Sequence, residues 1–357
     1  METTVERRAT DELAIRAVEI TRPGFIEQLV YPVACAGSGR TGLPSDCQTS
    51  IVQDRGTGRI TVSYRFGDAI LAYGKLYSDG LGPHCFRVLE ALWAEGLGEG
   101  EPYQVTKPLL YVPEYNFLLM GAAAGVPLLS LIGQESPDLL AHIRQAARWL
   151  VRLHRAPLRL GRAESLWDSL KLFRVVRRLT KAAARVPHER KRLIEMVDAL
   201  CRAGKLGPGQ VPAVQTHGRF HYEHIFVNGE QVSVIDFDRS LPSDPAKDLA
   251  EFVSMLRIRA FKRMGTTATV DAATRLFLEE YLSHLPGHGV NLTAHWGAFL
   301  LLNMFHYVKK YEPGNEAFER LMQFYAGEFD AVLSGALLPG RDGSVRRKTG
   351  HSLKSSA

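Results

Sequence analysis

The run Thr216-His217-Gly218-Arg219-Phe220-His221-Tyr222-Glu223-His224-Ile225-Phe226-Val227, followed closely by Val232-Ser233-Val234-Ile235-Asp236-Phe237-Asp238, decides the fold. Ile225 to Val227 reads as a strand, Asn228-Gly229 as a turn and Val232 to Ile235 as a second strand ending on a carboxylate. Asn-Gly between two β-rich runs is a hairpin signal. Such a hairpin holds the polar loop His217 to His224 beside Asp236, so groups remote in most folds become neighbours.

This stretch resembles the catalytic loop of the aminoglycoside phosphotransferase and choline kinase family, relatives of the protein kinases. The family pattern is His-Gly-Asp-x-x-x-x-Asn, then Ile-Asp-Phe/Trp-Asp/Glu, then Asp-Pro-Ala-x-Asp-Leu-Ala. Here His217-Gly218, Ile235-Asp236-Phe237-Asp238 and Asp244-Pro245-Ala246-Lys247-Asp248-Leu249-Ala250 stand at the matching spacing. Arg219 occupies the place of the family's catalytic Asp, and His224 that of its metal-binding Asn. The resemblance implies an α+β, bilobal protein-kinase-like fold, with a small antiparallel β lobe and a larger, mainly helical lobe.

Upstream, the periodicity matches that expectation. Gln48 to Asp54, Ile60 to Phe66 and Ala69 to Tyr77 read as consecutive antiparallel strands. The resemblance assigns Gly56 and Gly58, in the first turn, to nucleotide phosphates approached by backbone N–H groups. It assigns Lys75 on the third strand to the same phosphates, with Glu90 on the next helix fixing the lysine. Pro108 to Tyr115 and Asn116 to Met120 read as two more strands, with Gly121 to Gly125 as a hinge. Helices follow over Pro137 to Arg155, Ser165 to Arg185 and His188 to Arg202. Beyond the hairpin come helices near Pro245–Met264, Ala272–Leu285, Ala294–Tyr311 and Ala317–Leu333. The expected organisation is an N-terminal extension over 1–44, a nucleotide-binding lobe over 45–122, a catalytic and substrate lobe over 123–335, and a basic, disordered tail over 336–357.

Phosphoryl transfer depends on positioning and charge neutralisation more than on covalent chemistry. Asp236 matches the family's metal ligand and offers the hard oxygens that Mg²⁺ requires. His224, as second ligand, brings a nitrogen that suits Mn²⁺ or Zn²⁺ better than Mg²⁺. Arg219 cannot serve as a base, because guanidinium stays protonated. His221, Glu223 and Asp238 are the alternatives for that task, and Arg219 alternatively clamps a γ-phosphate or an anionic substrate. The expected cofactors are ATP and Mg²⁺, with Mn²⁺ as the variant. Two functions follow: an ATP-dependent phosphotransferase acting on a small-molecule hydroxyl, slow or atypical, or a pseudokinase, a nucleotide- or ligand-binding module without turnover.

The bulk numbers agree with a globular chain. Of 357 residues, 45% are apolar and 23% charged, enough for a large core. The first residues are charged and lack an apolar signal core, so a cytoplasmic location is expected. Cys35, Cys47, Cys85 and Cys201 form no Cys-x-x-Cys pair, which argues for free thiols. The net charge of +6 concentrates in Lys171–Arg192 and in the tail from Arg341. It lacks the dense basic stripe with interleaved aromatics of a nucleic-acid binder. The expected partners are therefore a nucleotide and a small hydroxyl-bearing substrate, with no nucleic acid and no membrane.

Overall fold

The computed structural model describes residues 4–35, 44–54, 58–67, 69–132, 138–205 and 211–339. The basic tail expected from residue 336 therefore lies almost wholly outside the described residues. The chain falls into two compact units. One comprises residues 1–131, 152–163 and 214–242, the other residues 132–151, 164–213 and 243–357.

The first unit is built on a five-stranded antiparallel sheet. Its strands are β1 (Cys47–Asp54), β2 (Arg59–Phe66), β3 (Ala69–Tyr77), β5 (Pro108–Val112) and β6 (Phe117–Gly121), in the order β1-β2-β3-β6-β5. Side chains alternate between the faces of a strand. On β2 the residues Ile60, Val62, Tyr64 and Phe66 are buried together, and on β3 Ala72 and Leu76 join them. The helix α1 (Thr4–Glu19) and the segment after it cover this apolar face with Leu13, Ala17, Ile20, Phe25 and Val30. The ring of Phe25 meets Phe117 edge to face at 5.4 Å. Tyr64 donates to the carbonyl of Ile20 at 3.0 Å, and Arg16 reaches the carbonyls of Tyr77 and Tyr115. The N-terminal segment thus completes the core of the small sheet.

The opposite face of β3 carries Tyr73, Lys75 and Tyr77. The helix α2 (Leu81–Ala94) follows, with Gly82, Cys85, Val88, Leu89 and Leu92 on its buried side. A second, four-stranded sheet is made of β4 (Tyr103–Val105), β7 (Val126–Pro127), β9 (Ile225–Asn228) and β10 (Gln231–Val234), in the order β4-β10-β9-β7. β9 and β10 form the expected hairpin, with Val234 opposite Ile225 and Gln231 opposite Asn228. A further short strand, β8 (Val214–Thr216), leads into His217.

The second unit is mainly helical. It contains α4 (Leu172–Arg185), α5 (Arg190–Lys205), α6 (Ala246–Met264), α7 (Ala268–His284), α8 (Leu292–Lys310) and α9 (Glu316–Leu333), preceded by α3 (Leu139–Arg155), which runs on into the first unit. The helix expected over Ser165 to Arg185 is interrupted at Lys171, whose φ of +54° cannot continue an α-helix. α8 is central, packed against α4, α5, α6 and α9. Trp296 is fully buried, and Phe252 stacks on Phe277 at 4.0 Å. Arg257 is buried but paired with Glu328 and Asp271, as a buried cation must be. Among the described residues no helix is long and apolar enough to cross a membrane.

Candidate active site

Strand alternation turns Lys75 away from the apolar core, and its ammonium lies 2.7 Å from Asp236 Oδ1 and 2.6 Å from Asp238 Oδ2. Both carboxylates come from the turn after β10. Asp236 has a φ of +69°, a left-handed conformation that Asp tolerates better than most residues but that still costs energy. The resulting kink carries Asp236 and Asp238 to the same lysine although Phe237 between them is buried.

Asp238 has both oxygens occupied. Tyr77 donates to its Oδ1 at 2.9 Å, and Arg59 Nε lies 2.9 Å from Oδ2 beside the Lys75 ammonium. Arg59 also holds Asp79 at 3.1 Å. Burial resists the charge on Asp236, but the Lys75 ammonium outweighs it, and the imidazoles add to this only once protonated in acid, so its carboxyl is held far below the usual carboxylate range. Burial opposes the charge on Lys75 too, and the two carboxylates raise its pKa above the ordinary lysine value.

The loop before the hairpin is fixed by its histidines. The His217 Nδ1 accepts the Arg219 amide at 3.2 Å, so Nε2 carries the proton and donates to the Ile235 carbonyl at 2.9 Å. The His221 Nδ1 accepts the Glu223 amide at 3.3 Å. In His224 the roles reverse: Nδ1 lies 3.0 Å from the Arg219 carbonyl, which only accepts, so Nδ1 bears the hydrogen. Its Nε2 then presents a lone pair to Asp236 Oδ2 at 3.3 Å. Burial, with neighbouring positive charge, lowers His221 to about 2. For His224, burial outweighs the pull of Asp236 and brings the value to about 4. Both rings are neutral near pH 7. Gly218 has a φ of +76°, and a Cβ there would run into the Arg239 carbonyl.

These groups line one end of a cavity of about 380 Å³. Lys75, Asp236, Asp238, His224 and Glu223 form its polar end, while Val52, Met120, Phe226 and Ile235 give it apolar walls. The chain leaves β6 along its rim. Gly121 and Ala122 spend their amides on the carbonyls of Lys107 and Leu71, and Ala123 lines the cavity. An apolar slot with a few convergent polar groups is the usual form of a small-ligand site.

The structure brings Lys75, Asp236, Asp238, His221 and His224 together. It does not bring in Glu90, which is exposed on the far side of α2 and does not pair with Lys75. The α2 residue at the cavity is Cys85, five positions earlier on the buried face, with burial pushing its thiol pKa up. His221 does not fit the role of base, because its one lone pair is engaged and its other nitrogen carries hydrogen. Asp238 does not fit it either, since Tyr77, Lys75 and Arg59 saturate it. Arg219 is half-buried and makes no ion pair among the described residues. Gly58 has a φ of +76° and lies at the start of β2, outside the cavity lining, and Gly56 lies outside the described residues. Sequence reasoning missed Arg59 and Tyr77, although Tyr77 stands two residues after Lys75 on one strand and so on the same face. Glu223 is exposed at the cavity, and its carboxylate makes no hydrogen bond or ion pair among the described residues.

No group of three or more His, Cys, Asp or Glu side chains among the described residues is placed to hold a metal by itself. The pair that faces the cavity is Asp236 and His224. Two protein ligands suit an ion held jointly with phosphates. One carboxylate and one imidazole lone pair suit Mn²⁺ or Zn²⁺ more than Mg²⁺.

The sequence profile of the phosphotransferase enzyme family matches residues 76–282, more than half of the chain. No curated protein matches it by sequence. Among solved structures, a choline/ethanolamine kinase family protein from Mesorhizobium loti is similar, with a TM-score of 0.54, 13% identity and coverage of 91% of this chain and 95% of that one. Spectinomycin phosphotransferase APH(9)-Ia, in complex with ADP and spectinomycin, has a TM-score of 0.54 at 12% identity, covering 81% of this chain and 93% of its own. A thermostable mutant of aminoglycoside phosphotransferase APH(4)-Ia in its apo form has a TM-score of 0.53 at 13% identity, covering 86% and 99%. At this identity the likeness is one of fold, and it is the protein-kinase-like α+β fold expected from the sequence.

Proposed function

This chain belongs to the phosphotransferase enzyme family, and from that premise we propose that it transfers a phosphoryl group from ATP to a hydroxyl of a small molecule. The observation that carries the reading is the Lys75 ammonium, held within 2.7 Å of Asp236 and Asp238 at the polar end of a 380 Å³ cavity. A buried lysine backed by two carboxylates is a fixed cation, the feature a phosphate chain needs.

In this reading Lys75 binds phosphate oxygens, and Asp238, braced by Tyr77 and Arg59, holds Lys75 in place of the expected Glu90. Asp236 and His224 are the metal ligands. Bound, ATP supplies the phosphoryl group and a divalent ion neutralises the phosphates. Glu223, the open carboxylate at the cavity, takes the proton of the acceptor hydroxyl, the task that Arg219, His221 and Asp238 cannot perform. The Arg219 guanidinium is then available to an anionic part of either substrate. One of the similar structures holds spectinomycin together with ADP, which supports a small polar acceptor as the class.

The test is nucleotide-dependent stabilisation. ATP with Mn²⁺ should raise the melting temperature, by roughly 2.7 kcal/mol of added stability at a hundredfold excess over Kd. Lys75→Ala should remove the metal-dependent part of that shift, and Mg²⁺ should replace Mn²⁺ poorly until His224→Asn restores oxygen ligation. No shift with any nucleotide sinks the proposal. Turnover should vanish in Asp236→Ala and fall by about 10²–10⁴ in Glu223→Gln while the ATP-induced shift remains.

A second reading, nucleotide binding without turnover, rests on one observation: a guanidinium stands where the family has its catalytic carboxylate. It predicts the same ATP-induced shift with no ATP consumption in the wild type. Arg219→Asp distinguishes a disabled catalyst, in which turnover should appear, from a dedicated binding module, in which it should not.

A further inference from the structure

A second cavity lies wholly in the helical unit, and the proposed function makes no use of it. It has a volume of about 540 Å³ and is lined by Lys262 and Arg263 from α6, Tyr307 from the last turn of α8, Tyr311 just after that helix, and Arg320 from α9, with no Asp or Glu in its wall. Along α6, Lys262 stands roughly 20 Å from Asp248 in the first turn of that helix.

The cations here lack counter-charges. Among the described residues, none of Arg178, Arg259, Lys262, Lys309, Lys310 and Arg320 makes an ion pair. Arg259, one turn before Lys262 and Arg263, has a buried Nε without a hydrogen-bond partner. Lys262 is exposed at its surface side but partly covered by its neighbours, and this partial desolvation, then Lys310 and Arg259, lower its pKa. Burial, and then Arg178, Lys310, Lys309 and Lys262, lower that of His306. The charges that act most strongly on these two groups are all positive.

Helix ends explain part of the cluster. Lys262 and Arg263 lie in the last turn of α6, and Lys309 and Lys310 in the last turn of α8, where backbone carbonyls attract positive charge. That field fades within a turn, and it does not account for Arg178 on α4 or Arg320 on α9. The Tyr rings take up some of the charge: Lys262 Nζ lies 5.9 Å from the Tyr307 centroid and Lys310 Nζ 5.4 Å from that of Tyr311. The two rings stand 4.5 Å apart, tilted by 33° to each other, and line the pocket together. Gly265, at φ +73°, ends α6 and leaves room for Arg320, whose Nη2 would lie 3.1 Å from a Cβ at that position.

We propose that this pocket binds a small phosphate-bearing anion, with Lys262, Arg263 and Arg320 engaging the phosphate oxygens and Tyr307 and Tyr311 flanking the rest of the molecule. Guanidinium groups match phosphate geometry in pairs, and an acid-free wall favours multiply charged ligands over carboxylates. The site is independent of the nucleotide site proposed above.

Inorganic pyrophosphate is the probe, and titration calorimetry on the full chain is the readout. Because pyrophosphate can also enter the Lys75 cavity, the decisive protein is Lys75→Ala. Saturable pyrophosphate binding should persist in it, and weaken at least tenfold when Lys262→Glu and Arg320→Glu are added. Both residues are exposed, so an unchanged circular dichroism spectrum is expected and serves as the folding check. Loss of all pyrophosphate binding in Lys75→Ala overturns the second site, and so does unchanged binding after the two charge reversals. Vesicles carrying a phosphoinositide, run beside plain phosphatidylcholine vesicles, separate a lipid headgroup from a soluble source. Binding to neither vesicle nor pyrophosphate also overturns the site. Failure of the nucleotide proposal would instead appear as an ATP-induced shift that neither Mn²⁺ nor Lys75→Ala alters, with these results unchanged.

Discussion

Tyr77 donates its phenolic hydrogen to Asp238 at 2.9 Å, and Asp238 in turn is in contact with Lys75. Tyr77 and Lys75 share one face of β3, so a single strand supplies both the cation and the support of its counter-ion. Tyr77→Phe removes the donor and leaves a buried carboxylate oxygen without it. The expected cost is about 1–3 kcal/mol, read as a lowered midpoint in chemical denaturation at unchanged m-value. An unaltered midpoint would show that Asp238 does not depend on the phenol.

Glu90→Ala should be silent. The side chain is exposed and does not reach Lys75, so stability should change by less than about 0.5 kcal/mol. The ATP-induced shift in melting temperature should also match the wild type. A loss of that shift would restore Glu90 to the site.

Two glycines with positive φ should respond unequally to alanine. Gly229, at φ +58° in the hairpin turn, has open space around it, so Gly229→Ala should cost about 1 kcal/mol from backbone strain alone. Gly218 adds a collision with the Arg239 carbonyl. Gly218→Ala should therefore cost clearly more, by about 2 kcal/mol or above, and displace the loop that carries His221 and His224. Equal costs in paired denaturation curves would contradict the packing described for the loop.

Acidification supplies a fourth expectation. His224 and His221 are held neutral in the folded chain, at about 4 and about 2, against about 6.5 when unfolded. Between pH 6.5 and 4 the unfolded chain binds more protons at these sites, so stability is complete above about 6.5 and declines as the pH falls. Each such histidine contributes a slope approaching about 1.4 kcal/mol per pH unit well below 6.5. His224→Asn should remove one share of that slope while leaving stability at pH 7.5 nearly as before. Asp236 does not blur the window, because its contribution is lost only as the pH falls below about 4. Parallel pH profiles for the two proteins would refute the neutral His224.

What could be read in the sequence was what local pattern carries. The alternation in β1, β2 and β3, the Asn228-Gly229 turn and the placing of Lys75, His224 and Asp236 all follow from short spacings. Glu90 failed because a count of residues along a helix does not give the phase of its buried face. Here Cys85, Val88, Leu89 and Leu92 set that face and leave Glu90 outside. Arg59 was invisible because its partner Asp238 is far away in sequence, and nothing local marks a strand residue for a remote carboxylate. The saturation of His221 depends on a single amide, that of Glu223, whose direction is fixed only once the loop is folded.

The two contacts of Asp236 differ greatly in the chain length they must close. His224 comes from the other arm of the same hairpin, where the Ile235 amide donates to the His224 carbonyl at 3.0 Å. Lys75 comes from 161 positions away. A hairpin closes in about 1–10 μs, whereas remote pairing must first overcome the entropy of a long loop. The loop entropy of the Lys75 contact is therefore far larger than that of the His224 contact, so a cut or insertion between β3 and the hairpin should loosen Lys75 from Asp236 while leaving His224 beside it.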